Sequence, residues 1–151
     1  QSRGLGDVYK RQIVSGSTDL GEITDACPST TVTFHVGDPF YYGNKRRVEV
    51  KAGTFTVNAG GNRPAHLAIT ANPSSSAAWY IRNVDTGEQV KLASSVTSTS
   101  TVRVDMALER ATVNSQAAAV TLDSDFFTIN GRTTLQLSGG SAVLEWRERW
   151  L

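Results

Sequence analysis

Residues Ala142–Leu151 read AVLEWRERWL. Alternate positions separate into two sets: Leu144, Trp146 and Trp150 on one side, Glu145, Arg147 and Arg149 on the other. A period of two is that of a β-strand with one dry face and one wet face. The spacing predicts that both indoles and Leu144 enter a core while the three charged residues stay solvated. A Trp-Leu pair at the close of such a strand predicts that the chain is tied into a sheet as far as Leu151.

The same alternation recurs upstream. Val48, Val50, Phe55 and Val57 are the apolar members of two short strands that flank Gly53, Arg47 to Ala52 and Thr54 to Asn58. Ala59-Gly60-Gly61-Asn62-Arg63-Pro64 is a turn cluster, and Ala65 to Ala71 places Leu67 and Ile69 inward. Trp79-Tyr80-Ile81-Arg82 leads through Asp85-Thr86-Gly87 to a return strand, Gln89 to Leu92, which is a hairpin signal. Val102, Val104 and Met106 alternate with Arg103 and Asp105; Arg110 to Val113 pairs back and closes at Asn114-Ser115. Phe126 to Ile129 and Thr133 to Leu137 follow, with Gly139-Gly140 as the turn before the last strand. No stretch holds apolar residues at helical spacing, and the Ala-rich Gln116–Ala119 continues into Val120-Thr121-Leu122 in the manner of a strand. About ten short antiparallel strands, spaced roughly ten residues apart, predict an all-β sandwich or jelly roll; a closed barrel would need more even strand lengths.

Ahead of this region the character changes. Residues 13–30 are polar and rich in Gly, Ser and Thr, which predicts a loop or linker, and Thr31–Val36 alternates as a strand. Gly37-Asp38-Pro39-Phe40-Tyr41-Tyr42-Gly43-Asn44 reads as a turning, aromatic corner, because the residue before a proline is forced out of the helical region. Lys45-Arg46-Arg47 is a short basic step. The domain boundary is expected between Gly43 and Arg47, leaving 13–45 as a linker region, loosely held over 13–43, and a sandwich at 46–151 that folds alone from Arg47 onward. Ser2–Gln12, SRGLGDVYKRQ, resembles the translation of a transposase-type sequencing adapter, which would make 1–12 an artefact of metagenomic assembly. That segment carries a net +2 (Arg3, Lys10 and Arg11 against Asp7), so the remainder of a chain of net +1 carries −1.

Composition excludes more than it suggests. A chain of 151 residues is long enough to bury a core. Fifteen basic residues stand against 14 acidic ones without a basic run, which gives no footprint for nucleic acid. A single cysteine, Cys27, excludes an internal disulfide framework. No apolar run approaches the roughly 20 residues of a membrane span, and no apolar stretch near the start reads as a signal peptide.

Chemistry is sparse. His35 and His66 lie in separate strands with no cysteine or carboxylate at ligand spacing, so each reads as a strand histidine and no metal or cofactor is expected. No nucleophile elbow is present, and Gly60-Gly61-Asn62 lacks the lysine and the helix of a phosphate cradle. Asp123 and Asp125 beside Ser124, and Asp105 with Glu109, could form the carboxylate pair of a sugar hydrolase. Turn chemistry explains them better, because Asp favours turns by bonding its own backbone. No catalytic residue is therefore assigned, and the chain is expected not to be an enzyme. The adjacent aromatics Trp79 and Tyr80 point to opposite faces of a strand; one could be exposed to stack on a sugar or meet a partner, although packing of both is the simpler reading.

Taken together, these motifs resemble the C-terminal domain of siphovirus-type phage tail proteins of the distal tail protein family. The resemblance runs from about Val48 to Leu151. It rests on Val57–Ala65 as an asparagine/glycine turn before a proline, Asn83–Glu88 as an asparagine and threonine-glycine hairpin, and Val102–Asp105 with Arg110–Asn114 as a second hairpin. Ser124-Asp125-Phe126-Phe127 is similar to the family's serine-x-aromatic-aromatic step, and Trp146–Leu151 to its terminal aromatic-Arg-x-x-Trp-Leu. Upstream, Gly37-Asp38-Pro39 with Tyr41-Tyr42 resembles the Asp-Pro-x-x-Tyr exit from the N-terminal domain. Asn130-Gly131-Arg132 departs from the family's Pro-Gly-Asn turn. The resemblance implies a galectin-like sandwich and a structural virion protein in the tail, made in the cytoplasm of a bacterial host. Its implied partners are other tail proteins (tube, tip and receptor-binding proteins). It further implies a homo-oligomeric ring built by an N-terminal domain of which residues 13–45 would be the remnant. The alternative function is a carbohydrate-binding module that recognises host surface glycan through Trp79 and Tyr80.

Overall fold

The computed structural model describes residues 13–14, 34–35, 38–74 and 78–151, and every regular element among them is a strand. In chain order these are β1 (Ile13–Val14), β2 (Phe34–His35), β3 (Tyr41–Asn58), β4 (Ala65–His66), β5 (Ala68–Asn72), β6 (Tyr80–Asn83), β7 (Gln89–Lys91), β8 (Val102–Asp105), β9 (Arg110–Val113), β10 (Gln116–Ala117), β11 (Thr128–Ile129) and β12 (Arg132–Trp150). The adapter-like Ser2–Gln12, Cys27 and most of the polar 13–30 stretch lie outside the described residues.

Two long strands replace the four short ones expected around Gly53 and Gly139-Gly140. β3 has 18 residues and β12 has 19, and they pair antiparallel along their length. Burial in β12 explains why a turn was expected there. Thr133, Leu135, Leu137 and Gly139 are buried; after Gly140 the buried set is Ala142, Leu144 and Trp146. The phase shifts by one residue without the strand ending, which is what a β-bulge does. The register slips in the same place, between Leu137 opposite Gly53 and Ser141 opposite Lys51. Gly140 has φ 82°, and a Cβ there would collide with the carbonyl oxygen of Asn72, so glycine serves here for close approach within a continuing strand.

The bulge is also where β12 changes neighbours. On the side away from β3, Leu135–Leu137 pair with β6, which pairs with β7. Ser141–Glu145 pair instead with β5, which leads on to β8, β9 and β10. Two wings thus hang from one bent strand and fold face to face, giving the all-β sandwich. Ile81 and Val90 of one wing share a buried cluster with Ile69, Val102 and Val104 of the other and with Phe127, Leu135 and Leu144. Burying an aliphatic side chain of this size contributes about 2 kcal/mol. Each ladder hydrogen bond forgone at the bulge is worth about 1 kcal/mol net, so the bend is favourable. The free edge of β7 is covered by the 119–125 segment through Ala93 N to Ala119 O (2.9 Å), Thr121 N to Lys91 O (2.9 Å) and Asp125 N to Gln89 O (2.8 Å). β4 pairs with β11, and β1 with β2.

The core ends before the chain does. The last β5 partner of β12 is Ala68, opposite Glu145. Trp146, 4 % exposed, is the final core residue, and its indole N–H donates to the Ala59 carbonyl at 2.7 Å. Trp150, expected in the core, is only half-buried, lying beyond the last β5 partner of β12. The expected boundary between Gly43 and Arg47 falls inside β3, which begins at Tyr41.

Candidate functional site

Trp79 and Tyr80, the residues singled out for surface contact, do not form a common surface. Trp79 is 1 % exposed, its backbone bonded to Leu92 (Leu92 N to Trp79 O, 3.0 Å). Tyr80 is half-buried beside Ser138, whose hydroxyl accepts its amide at 2.9 Å. A buried indole offers no face to a sugar ring, which leaves the half-buried Tyr80 as the one member of the pair at the surface. Among the described residues no group of His, Cys, Asp or Glu is placed to hold a metal ion, and no helix is long and apolar enough to cross a membrane. His66 lies on β4; its pKa is lowered by burial and by the nearby charge of Arg149.

The carboxylates serve turns. Asp105 Oδ1 accepts the amides of Ala107 (3.0 Å) and Leu108 (3.1 Å). Asp123 accepts from the Gln89 side chain at 2.9 Å, and hydrogen bonds from Thr121 and from its own amide hold its carboxyl below the usual carboxylate range. A glycosidic general acid needs the opposite shift.

The structure instead builds a site where three distant segments meet at the open end of the sandwich. The first is Asp38–Gly43, the aromatic corner that leads into β3. Asp38 accepts the Phe40 amide (3.1 Å) and the Tyr42 hydroxyl (2.5 Å), and that hydroxyl bond to the carboxylate raises the tyrosine pKa. The second segment is the turn at residues 60–64. Gly61, at φ 74°, lies so close to the backbone of Arg149 that a Cβ would overlap it. This lets the amides of Asn62 (3.0 Å) and Arg63 (3.2 Å) converge on the Arg149 carbonyl. The Asn62 side chain binds the last residue from both sides, accepting Leu151 N at 2.9 Å and donating to Leu151 O at 3.3 Å. The sheet itself ends at Trp150, one residue short of the expected Leu151, which is held by this side-chain amide and not by strand pairing.

The third segment is the end of β12, where Arg149 departs from the solvated charge expected. Its guanidinium lies 3.9 Å over the Phe40 ring and donates to the Pro64 carbonyl at 3.0 Å. Stacking on an aromatic face is worth about 0.5–1 kcal/mol when exposed and more when desolvated. Beside it, Glu148 takes the next inward position after Trp146, with its side chain only 12 % exposed. Arg46 neutralises it through Nε (2.7 Å) and a terminal nitrogen (2.6 Å). A half-buried carboxylate needs such a partner. Lys45 pairs with Glu145 at 3.0 Å, so the first two residues of the basic step on β3 are turned onto acids of β12, while Arg47 pairs with Glu49 of its own strand.

This neck holds no nucleophile, acid–base pair or ligand cage. It fixes mechanically the direction in which the chain enters the sandwich. The reading of the sequence missed Phe40, Arg149 and Glu148 as a unit; the clue was an Arg-Glu-Arg run at the end of a strand facing an Asp-Pro-aromatic corner.

The family profile described as siphovirus-type tail component, C-terminal domain, matches residues 60–150. Among solved structures the fold is similar to the crystal structure of the SPP1 Dit protein, described as a paradigm of the hub adsorption apparatus in phages infecting Gram-positive bacteria. The TM-score is 0.69 at 19 % identity, covering 80 % of this chain and 52 % of that one. The chain thus spans about half the length of that relative. No curated protein sequence matches the chain significantly.

Proposed function

The chain belongs to the siphovirus-type tail component family through that family's C-terminal domain, and from this we propose that it is a non-enzymatic structural protein of the distal tail hub that docks neighbouring tail proteins. The observation that carries the proposal is the neck. A sandwich whose entry segment is clamped to its own last strand, with Arg149 stacked on Phe40 and Arg46 paired to Glu148, is suited to being held out rigidly from a preceding domain. Residues from Ile13 up to the neck belong to that preceding domain and its linker, and the domain closes into a homo-oligomeric ring; the sandwich is taken to begin at Asp38, ahead of the boundary expected between Gly43 and Arg47, because Asp38 and Phe40 already belong to the neck. The protein is made in the bacterial cytoplasm and resides in the virion tail, with tail tube, tip and receptor-binding proteins as its neighbours.

Immunogold electron microscopy of virions of the encoding phage, with antibody raised against this chain, tests the role directly. Gold at the free end of the tail is the expected result; gold on the head, or virions without label, overturns it. For the ring, light scattering of a longer chain that includes the upstream domain is expected to give a closed oligomer, and a monomer at all concentrations would refute that part.

A further inference from the structure

Along β8 and β9 the inward residues are Val102, Val104 and Ala111, and the outward ones are Arg103, Asp105, Arg110 and Thr112. Arg103 stands opposite Thr112 and Asp105 opposite Arg110, so the two arginines occupy diagonal positions on adjacent strands, roughly 7–8 Å apart at the backbone. Two exposed guanidinium groups this close repel unless an anion lies between them. Asp105 is the nearest candidate, yet its Oδ1 is engaged by the amides of Ala107 and Leu108. Among the described residues no ion pair involves Arg103 or Arg110, whereas Lys45, Arg46 and Arg47 on β3 are matched by Glu145, Glu148 and Glu49.

The arginines border an open groove of about 290 Å³ whose other walls include Ala68, Thr112, Ser115 and Asp105, one carboxylate against the two guanidinium groups. Leu108, at the tip of the β8–β9 turn, is 71 % exposed on the rim of this groove. The next residue, Glu109, sits at φ 50°, a left-handed conformation that is costly for a side-chain-bearing residue. No aromatic side chain lines the groove, so it has no platform for a sugar ring.

We infer that this outward face of β8 and β9 is a docking site for an acidic segment of a partner protein, its carboxylates held by Arg103 and Arg110 and an apolar residue seated against Leu108. The inference rests on the reading of the chain as a docking component of the tail and narrows it to one face and one partner chemistry. The forked geometry of arginine suits carboxylates. Exposed pairs of this kind set orientation and association rate more than affinity, as befits assembly from several weak contacts.

The test uses the full chain and a fluorescein-labelled peptide of alternating glutamate and leucine, followed by fluorescence anisotropy and by amide shifts in NMR spectra. Saturable binding is expected, with shifts centred on residues 103–112. R103E/R110E should weaken binding by at least about tenfold, while R82E, on the other wing, leaves it within about twofold. Circular dichroism verifies that each variant is folded, and Leu108→Ser, which leaves both arginines in place, should weaken binding several-fold. Absence of binding, equal binding by R103E/R110E, shifts centred on β3, or equal displacement by inorganic phosphate or by duplex DNA would each overturn the inference. Gold labelling at the tail end together with any of these results would retain the tail role and remove this surface from it.

Discussion

Trp146→Ala separates the bent-strand fold from a simple alternating strand. By alternation alone Trp146 and Trp150 are equivalent, and their truncation would cost the same. In the structure Trp146 is 4 % exposed and caps the core, while Trp150 stands two inward positions further on, half-buried and beyond the end of β5. An aromatic side chain buries about 150–250 Å², which at about 25 cal/mol per Å² is roughly 4–6 kcal/mol. Measured truncations of buried aromatics lie at about 3–5 kcal/mol. Trp146→Ala should therefore cost about 4 kcal/mol, part of it from leaving the Ala59 carbonyl without its 2.7 Å donor. That is a large share of the roughly 5–15 kcal/mol of a typical domain, and the variant could fail to fold. Trp146→Phe keeps most of the apolar area and isolates the carbonyl, at about 1–3 kcal/mol. Trp150→Ala should cost less than Trp146→Ala, about 3 kcal/mol, because Trp150 is only partly buried and its loss leaves no backbone carbonyl unpaired. Urea unfolding followed by far-ultraviolet circular dichroism ranks the three without relying on indole fluorescence. If Trp150→Ala proves as destabilising as Trp146→Ala, or Trp146→Phe is neutral, the assignment of the core boundary is wrong.

Gly140→Ala should lower stability by at least about 2 kcal/mol, from left-handed strain and the collision with the Asn72 carbonyl, while the adjacent Ser141→Ala, on an exposed position, stays near wild type in the same urea series. A chain beginning at Asp38 should be more stable than one beginning at Arg47 by about 2 kcal/mol, because the shorter one loses the Phe40–Arg149 stack and leaves Glu148 without Arg46; equal urea midpoints would show that the neck adds nothing to the sandwich. His66 has a lowered pKa through burial and Arg149, opposed by Asp105, so the unfolded chain takes up its proton more readily. Its contribution to stability is present above the ordinary value of 6.5 and is lost as pH falls below it. Urea midpoints from about pH 7.5 to about 5.5 should show a small decline that His66→Gln flattens.

The wings were legible in the sequence because each is made of local hairpins. The β6–β7 and β8–β9 pairs close over a few residues, and their inward sets follow from a period of two that nothing interrupts. The β3–β12 ribbon was not legible. Gly53 and Gly139-Gly140 carry the composition of turns, and a local reading cannot tell a turn that reverses the chain from a bulge that bends it. The distinction depends on a non-local fact, that β12 must leave β6 and join β5 at the point where its phase shifts. Trp150 was misassigned for a related reason: periodicity gives the face of a strand but not the depth to which a second sheet covers it.

The neck carries this argument furthest. Asp-Pro at residue 38, the Gly-Gly-Asn-Arg-Pro turn at 60–64 and the Arg-Glu-Arg-Trp-Leu end each have an adequate local explanation as corner, turn and edge. Nothing local indicates that Asn62 binds Leu151, that Pro64 accepts from Arg149, or that Arg149 lies over Phe40. Their convergence gives the residue types a shared reason. The turn must be tight because it closes on the Arg149 backbone, the corner must be aromatic because a guanidinium rests on it, and an inward-phase glutamate is tolerated because Arg46 reaches it from β3. Three of the motifs through which the sequence resembles its family, the Asp-Pro corner, the Val57–Ala65 turn and the Trp146–Leu151 end, are thus parts of one joint. If the proposed role of this joint is right, its weakening should appear first as lost orientation between the sandwich and a preceding domain, and only second as lost folding of the sandwich itself.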